Sequence, residues 1–212
     1  SFSKYSHEFQ TLTSAGEDTI FVCDNCRIAV NKEIRDEQKT CPKCNGSKMH
    51  EEKAVEVGNI FSLGTRFSEA EGLFYTDEAG VSKPVVMGSY GIGPGRLMGT
   101  IVEVFADKSG IVWPKEVSPF DVHLVSVAPE NSEVKKSADA LYKKLLAASV
   151  SALYDDRNLR AGEKFADSDL IGISKRIVVS EKTIKQKAYE LKDRATGEVR
   201  LVKESDILKD LF

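Results

Sequence analysis

The four cysteines of the chain could bind a metal ion. They form two pairs, Cys23 with Cys26 and Cys41 with Cys44. Two such pairs at this separation can place four thiolates around one tetrahedral zinc ion, with no open position for catalysis. Two disulfides or four unliganded thiols are the alternatives, and the lack of a visible secretion signal disfavours disulfides. We therefore predict a structural zinc site, with His50 as a less favoured substitute ligand.

A second candidate site is the glycine-rich segment from Gly88 to Arg96, which follows a short apolar run predicted as a buried strand at 84–87. Apolar residues at helical spacing from Leu97 onward predict a helix after it. The segment lacks the Gly-Lys-Ser/Thr end of a P-loop, and Arg96 stands where a dinucleotide fingerprint needs its third glycine. A strand, a glycine turn and an arginine at a helix start could bind a terminal phosphate. The alternative is a tight structural turn with a surface arginine.

The elements of the second half alternate between strands and helices. Runs rich in β-branched residues predict strands, and apolar residues at helical spacing predict helices. The predicted strands are 121–127, 150–154, 176–180 and a hairpin of 187–192 with 198–202, and the predicted helices are 134–145, 165–170 and 205–211. This alternation predicts an α/β domain with a mixed sheet. His123 lies within the first strand and is expected to be a satisfied core or surface residue.

Length and composition narrow the class of protein. The 212 residues suit one or two domains, and 41% hydrophobic with 30% charged residues is an ordinary globular mixture. Since no apolar run reaches about 18 residues, we expect no membrane span and a cytoplasmic protein. The net charge of −3 does not announce a nucleic-acid partner, although a local basic face could still bind one.

Several segments, in order along the chain, resemble the bacterial type of prolyl-tRNA synthetase, a class II aminoacyl-tRNA synthetase. They are 6–9, 55–68, 87–96, 110–114, 119–124, 155–157 and 162–173. The resemblance implies an α/β and α+β protein. Residues 1–118 would be the C-terminal part of an antiparallel-sheet catalytic domain, with a zinc-ribbon-like segment at 23–52 in place of a long editing insertion. Residues 119–212 would be an α/β mixed-sheet anticodon-binding domain.

The resemblance also implies roles for individual residues. Arg96 would be the catalytic residue that binds the γ-phosphate of ATP. The residues implied to bind ATP or proline are His7, Glu56, Asn59, Ser89, Gly91, Gly93 and Arg96. Those implied to contact the anticodon are Arg157, Arg160, Lys164 and Asp169. Structural and solvent-exposed roles are the alternative for each of these side chains, and the implied cofactors are structural Zn²⁺ together with ATP and Mg²⁺.

Two departures from the family pattern qualify these roles. Asn59 stands where the family commonly has histidine, so a hydrogen bond is retained but a protonation role is not. The first two class II motifs are absent, so we expect this chain to be inactive alone. The family resemblance implies that the intact enzyme is a homodimer.

The function implied is proline–tRNA ligation, in which this chain supplies the third class II motif and recognition of the tRNA(Pro) anticodon. The alternatives are a synthetase-like RNA-binding paralogue and a zinc-ribbon module that binds nucleic acid without aminoacylation.

Overall fold

The structure is a computed structural model that describes residues 6–127 and 132–211. The chain forms two compact units, which we call unit 1 (up to Val104) and unit 2 (from Phe105 onward). The boundary between 118 and 119 that the family resemblance implies stays a prediction.

Unit 1 is built around an antiparallel sheet. Its strands are β1 (His7–Leu12), β2 (Asp18–Cys23), β3 (Ala29–Asn31), β4 (Met49–Gly64), β5 (Phe74–Thr76), β6 (Ser82–Pro84) and β7 (Met87–Ile92), and its helices are α1 (Arg66–Ala70) and α2 (Pro94–Phe105). The long strand β4 organises the sheet, because its first part pairs with β2 and its second part lies between β1 and β7. Strands β5 and β6 form a separate hairpin.

The glycine-rich segment is a strand rather than a turn, so the strand predicted at 84–87 is wrong. Strand β6 ends at Pro84, β7 starts at Met87, and Gly93 alone separates β7 from α2. Gly91 does not need a positive φ here. Its small size is needed instead, because a Cβ at Gly91 would lie 2.7 Å from Oδ1 of Asn59 on the neighbouring strand. The glycines therefore permit close approach across the sheet.

Unit 2 confirms the predicted alternation and the mixed sheet. Its elements are β8 (Val122–Val127), α3 (Glu133–Ala147), β9 (Ala152–Asp155), α4 (Ala161–Ile171), β10 (Lys175–Ser180), α5 (Glu181–Lys185), β11 (Ala188–Asp193), β12 (Val199–Lys203) and α6 (Ile207–Asp210). The strand order is β12-β11-β10-β8-β9. Strand β8 runs parallel to β9 and β10, whereas β11 runs antiparallel to both of its neighbours, β10 and β12.

The main hydrophobic core lies in unit 2. The periodic apolar face of α3 contributes Leu141 and Leu145, and the sheet contributes Leu124 and Ile177, all at most 2% exposed. This face is the one predicted from helical spacing. In unit 1 the buried cluster comprises only Ile20, Val22 and Ala54 among the described residues, with Ala29 packed against it.

The segment before β8 is fastened to the end of α4. The backbone N–H of Ile111 donates to the Leu170 carbonyl, and that of Trp113 donates to the Gly172 carbonyl. Gly172 is required there, since its φ is +78° and a Cβ would lie 2.0 Å from the Ile111 carbonyl oxygen. Residues that precede β8 are thus an integral part of unit 2.

Among the described residues, none of the helices combines the length and apolar character needed to cross a membrane.

Candidate functional sites

The four cysteines converge at one point. Their Sγ atoms all lie within 4.8 Å of one another, and those of Cys23 and Cys44 are 3.7 Å apart. Sulfurs placed tetrahedrally about 2.3 Å from a zinc ion would be about 3.8 Å apart, so the donor set and its spacing fit zinc. All four cysteines are free thiols, which rules against the disulfide alternative in this structure.

Tight backbone turns hold the cysteines. Arg27 and Asn45, each one residue past the second cysteine of a pair, adopt positive φ values of 56° and 54°. Their N–H groups donate to the carbonyls of the first cysteines, Cys23 and Cys41. Backbone N–H groups of Cys44 and Lys43 that point at the Cys41 sulfur lower its pKa to about 7, whereas the neighbouring Cys44 sulfur raises the pKa of Cys26 to about 12. A bound metal ion would stabilise the thiolate form of all four cysteines.

His50 is not a member of the sulfur cluster. Its Nδ1 lies 2.7 Å from a carboxylate oxygen of Asp24 and its Nε2 lies 3.6 Å from Glu52. The group of potential metal ligands found in the described residues contains the four cysteines alone.

A second cluster joins β4 to the start of α2. The Arg96 guanidinium donates to the Glu56 carbonyl at 3.0 Å and lies 3.6 Å from the Glu56 carboxylate. The other carboxylate oxygen accepts a hydrogen bond from the Asn59 side chain at 2.9 Å. Glu56 therefore orients both neighbours, while Arg96 stays more than half exposed at the first turn of a helix. This end of α2 can receive an anion through the helix terminus and the guanidinium.

The glycine-rich strand lies beside this cluster. Gly91 is opposite Asn59 and Ser89 is opposite Phe61 in the β4–β7 pairing. A Cβ at Gly93 would lie 3.5 Å from the Arg96 side chain. Of the residues predicted to bind ATP or proline, Glu56 and Asn59 lie on β4, Ser89 and Gly91 lie on β7, and Gly93 directly follows β7. The contacts above bring Glu56, Asn59, Gly91 and Gly93 together with Arg96.

His7 occupies a different position from that cluster. It is exposed on β1, opposite Ile60, on the side of β4 away from β7. No hydrogen bond from His7 to the cluster is found within the described residues. Its role in a proline pocket stays a prediction.

Glu56 and Arg96 also line a cleft of about 520 Å³. Asp18, Thr100 and Glu103 contribute to the same walls. The cleft combines one guanidinium with several carboxylates, which suits a ligand that carries both an anionic group and a cation.

The four predicted anticodon residues do not share one surface. Arg157 and Arg160 are exposed, on the loop after β9 and at the N-terminal end of α4. Arg157 forms ion pairs with Asp155 at 2.8 Å and with Asp167 at 2.7 Å. The backbone N–H of Arg160 donates to the Glu163 carboxylate, and this caps the helix.

Lys164 and Asp169 are committed to internal contacts. Lys164 is 1% exposed, and its Nζ donates to the carbonyls of Ser126 and Asp155. Asp169 accepts hydrogen bonds from Lys192 and Arg176. The expectation that Lys164 is a basic surface side chain is corrected by its burial. A buried lysine keeps its charge only when it is paired, so the internal acceptors make this position possible.

The sheet face beneath α4 carries buried polar side chains. His123 is buried, opposite Arg176 on the adjacent strand, and Arg176 stacks over the Phe165 ring at 4.5 Å. Burial lowers the pKa of His123 to about 4, so the ring is neutral at pH 7. His123 is a core residue, as one reading of the sequence had it, but its Nδ1 has no hydrogen-bond partner in the described residues.

Sequence reasoning missed the role of Asp155. Burial raises the pKa of this carboxyl, but hydrogen bonds from the side chain and backbone of Arg157 outweigh it, and the net pKa is lowered. Asp155 also lies 3.5 Å from the Lys164 ammonium. The adjacency of acids and an arginine in Asp155-Asp156-Arg157 was the available signal, since such neighbours can pair.

Comparison with known proteins agrees with this layout. Residues 121–211 match the family model of an anticodon binding domain. The chain is 44% identical to the proline–tRNA ligase of Desulfitobacterium hafniense over 167 residues, which are 79% of the chain. It is 51% identical over 146 residues, or 69% of the chain, to that of a Geobacillus species, and 36% identical over 225 aligned positions, or 95%, to that of Zymomonas mobilis.

The chain belongs to the prolyl-tRNA synthetase family. The aligned 167 residues exceed the 91 that match the anticodon binding domain, so the similarity to these synthetases extends into the preceding part of the chain. The chain spans 29%, 26% and 51% of the length of these three relatives. The paralogue and zinc-module alternatives are not favoured by these comparisons.

Proposed function

We propose that this chain is part of a proline–tRNA ligase, which activates proline with ATP and transfers it to tRNA(Pro). The observation that carries the proposal is the similarity to proline–tRNA ligases across more than the anticodon domain. The cluster of Arg96, Glu56 and Asn59 beside a glycine-rich strand is the arrangement that supports a nucleotide site in unit 1.

In this proposal Arg96 binds the terminal phosphate of ATP. Its guanidinium is exposed and held by Glu56, which leaves N–H donors for a phosphate and gives the anion the added attraction of a helix N-terminus. Glu56 holds Arg96 in place and binds ATP through Mg²⁺, and Asn59 contacts the ribose of the same ATP. Ser89, Gly91 and Gly93 allow the ligand to approach the strand backbone.

The chemistry is an acyl-phosphate step followed by transfer. The proline carboxylate attacks the α-phosphate of ATP, which forms prolyl-adenylate and releases pyrophosphate. A terminal ribose hydroxyl of the tRNA then attacks the prolyl carbonyl and loses its proton, the bond to the phosphate breaks, and AMP leaves. Such steps depend on positioning and charge stabilisation more than on covalent catalysis by the protein. Residues of this chain supply the γ-phosphate contact and would act with the rest of a homodimeric ligase.

Zinc has a structural role in this proposal. Cys23, Cys26, Cys41 and Cys44 would hold the ion, and a four-thiolate site has no open position for substrate. The ion would fasten β2 to the loop between β3 and β4 as a zinc-ribbon-like segment.

An exposed apolar face of unit 1 would be covered by other parts of the ligase. Tyr90 and Ile92 of β7 are 79% and 70% exposed, and Phe9 of β1 is 61% exposed. A Cβ at Gly58 would lie within 4 Å of both Phe9 and Ile92, so these apolar side chains flank one position of one sheet face. Such a face favours burial against a partner.

The catalytic assignment is tested in the complete ligase. We expect Arg96→Ala to lower kcat/KM for ATP in proline-dependent pyrophosphate exchange, with a loss of transition-state stabilisation of about 1.5–3 kcal/mol, the scale of a lost charged hydrogen bond. The control is Lys108→Ala, which removes an exposed positive charge outside the cluster. An unchanged KM and kcat for ATP in Arg96→Ala would contradict the assignment.

A further inference from the structure

The side chain of Arg157 is held on the surface by two carboxylates. Its Nε and Nη2 donate to the two oxygens of Asp155 at 3.0 and 2.8 Å, and Nη2 also donates to Asp167 at 2.7 Å. Asp155 is itself fixed, since its side chain is 4% exposed. A two-bond contact to a buried carboxylate sets the plane of the guanidinium.

The remaining surface of Arg157 is free for a ligand. Half of the side chain is exposed, and in the part of the chain that the structure describes Nη1 makes no hydrogen bond. What Arg157 offers outward is therefore a flat guanidinium face together with the two N–H groups of Nη1. An unpaired base can stack on a guanidinium plane and accept a hydrogen bond at its edge.

The local charge disfavours a phosphate as the ligand. Asp155 and Asp167 together carry two negative charges against the single positive charge of Arg157, and Asp156, next to it, is an exposed carboxylate 3.9 Å from the Lys135 ammonium. Lys164 offsets part of this charge from the interior at 3.5 Å. Phosphate binding is strongest on a surface with an excess of positive charge, whereas here the cations are balanced by carboxylates.

We infer that Asp155 and Asp167 are positioning residues that hold Arg157 as a fixed platform for an unpaired tRNA base, so that Arg157 determines base specificity rather than general affinity. This inference rests on the proposed function, and it deepens it by naming the chemistry recognised at one position. Asp167 is the better residue to change, because it is 43% exposed and not part of the core.

The test uses the whole chain and an RNA hairpin with the tRNA(Pro) anticodon loop, at fixed salt. A positioning role and a purely electrostatic role of Asp167 predict opposite changes in RNA affinity when its charge is removed. If the carboxylate positions Arg157, Asp167→Asn weakens binding of the normal loop about three- to tenfold and leaves binding of a loop with altered anticodon bases unchanged, because a neutral amide holds Nη2 less firmly and Arg157 must then be ordered on the base. If charge alone matters, removing a carboxylate strengthens binding to a polyanion or leaves it unchanged.

Asp156→Asn is the matched control. It removes the same charge one residue from Arg157, from a carboxylate that lies near Lys135 and makes no hydrogen bond to Arg157. We expect it to leave binding unchanged or to strengthen it slightly. Asp167→Glu should restore most of the affinity, and the thermal unfolding of unit 2 should be the same in all three variants.

Arg157→Lys separates base from phosphate recognition. Lysine keeps the charge but loses the plane. We expect at least a fivefold loss of discrimination between the normal loop and one with altered anticodon bases, with an unchanged slope of log affinity against log salt.

The outcomes separate this inference from the proposed function. If the wild-type chain does not distinguish the two loops, the proposed function fails and the inference falls with it. If the wild type distinguishes them but Asp167→Asn behaves like Asp156→Asn, or Arg157→Lys changes only the salt slope, the inference alone is overturned.

Discussion

The two units of this chain are stabilised in different ways. Among the residues that the structure describes, unit 2 has a cluster of fifteen buried apolar residues between its sheet and the helices α3 and α6, whereas the cluster of unit 1 has three. Unit 1 instead has a ladder of antiparallel strands, a four-sulfur site and exposed aromatic residues such as Tyr90. Unit 2 has a core of its own side chains, whereas we propose that unit 1 depends on a metal and on surfaces outside itself.

Metal removal should have the largest effect, and it should affect unit 1 alone. Structural zinc contributes about 10–16 kcal/mol of apparent binding free energy in small domains, so a strong chelator or Cys41→Ser should unfold the segment from β2 to the start of β4. The expected content is one zinc per chain in the wild type. His50→Gln, the control, should retain the metal.

The single tryptophan makes this comparison measurable. Trp113 lies in unit 2, and its fluorescence should report an unchanged unfolding transition after metal removal. A transition of Trp113 that moves together with zinc loss would contradict the expectation that metal removal affects unit 1 alone.

The next largest effect should come from a cavity in unit 2. Leu141 is 2% exposed at the centre of the main core, so Leu141→Ala should lower the free energy of unfolding by about 2–5 kcal/mol. Leu146→Ala, on the same helix but 49% exposed, should change it by less than about 0.5 kcal/mol. Urea unfolding followed by Trp113 fluorescence measures both, and equal losses would mean that α3 is packed differently.

A moderate effect is expected from acid between pH 7 and pH 5. Burial beside Arg176 lowers the pKa of His123 to about 4, below its usual value of 6.5. A depressed histidine pKa means that the unfolded chain binds the proton first, so stability is complete above pH 6.5 and falls as the pH drops toward 4. The expected loss between pH 7 and pH 5 is about 2 kcal/mol.

His123→Gln should flatten this dependence, since unit 2 contains no other histidine. The carboxyl groups of Asp155 and Asp193 have lowered pKa values, so their contribution is lost only below about pH 4. Stability that does not change between pH 7 and pH 5 in the wild type would contradict the buried neutral state of His123.

The smallest effect should come from the apolar face of unit 1. Tyr90→Ser should change the stability of the metal-bound chain by less than about 0.5 kcal/mol, because the ring is 79% exposed. In the complete ligase the same substitution should cost about 1–3 kcal/mol, since the ring would then be buried. Circular dichroism during urea unfolding measures both, and equal effects in the two settings would contradict the covered-face proposal.

The contrast between the units also explains which parts of the fold the sequence could predict. Unit 2 buries the periodic face of α3, and Val134, Ala138, Leu141 and Leu145 are buried where their spacing placed them. In unit 1 the strand β7 was mistaken for a turn because its glycines conceal the alternation of Tyr90 and Ile92. The glycines are needed here because neighbouring strands approach closely, and a single sequence does not distinguish glycines used for close approach from glycines used for a turn.

The sites follow the same division. The four cysteines converge as their spacing predicted, because short pairs fix local geometry. Arg96 lies at the helix start as predicted, but its partner Glu56 is forty positions away and came only from the family resemblance. The sequence predicts Lys164 on the surface because a charged residue on a helix is usually exposed. Its burial depends on carbonyl acceptors from β8 and β9, which are distant in sequence or not recognisable as its partners.

The most direct test of the central claim is the affinity of this 212-residue chain for a tRNA(Pro) transcript, compared with the same transcript carrying changes at its two anticodon guanines. Salt must be identical, because phosphate contacts make affinity depend steeply on it. We predict at least a tenfold loss, about 1.4 kcal/mol, on changing the anticodon. Equal affinity for both transcripts would mean that only the phosphate backbone is bound, and it would contradict a role of unit 2 in reading the anticodon.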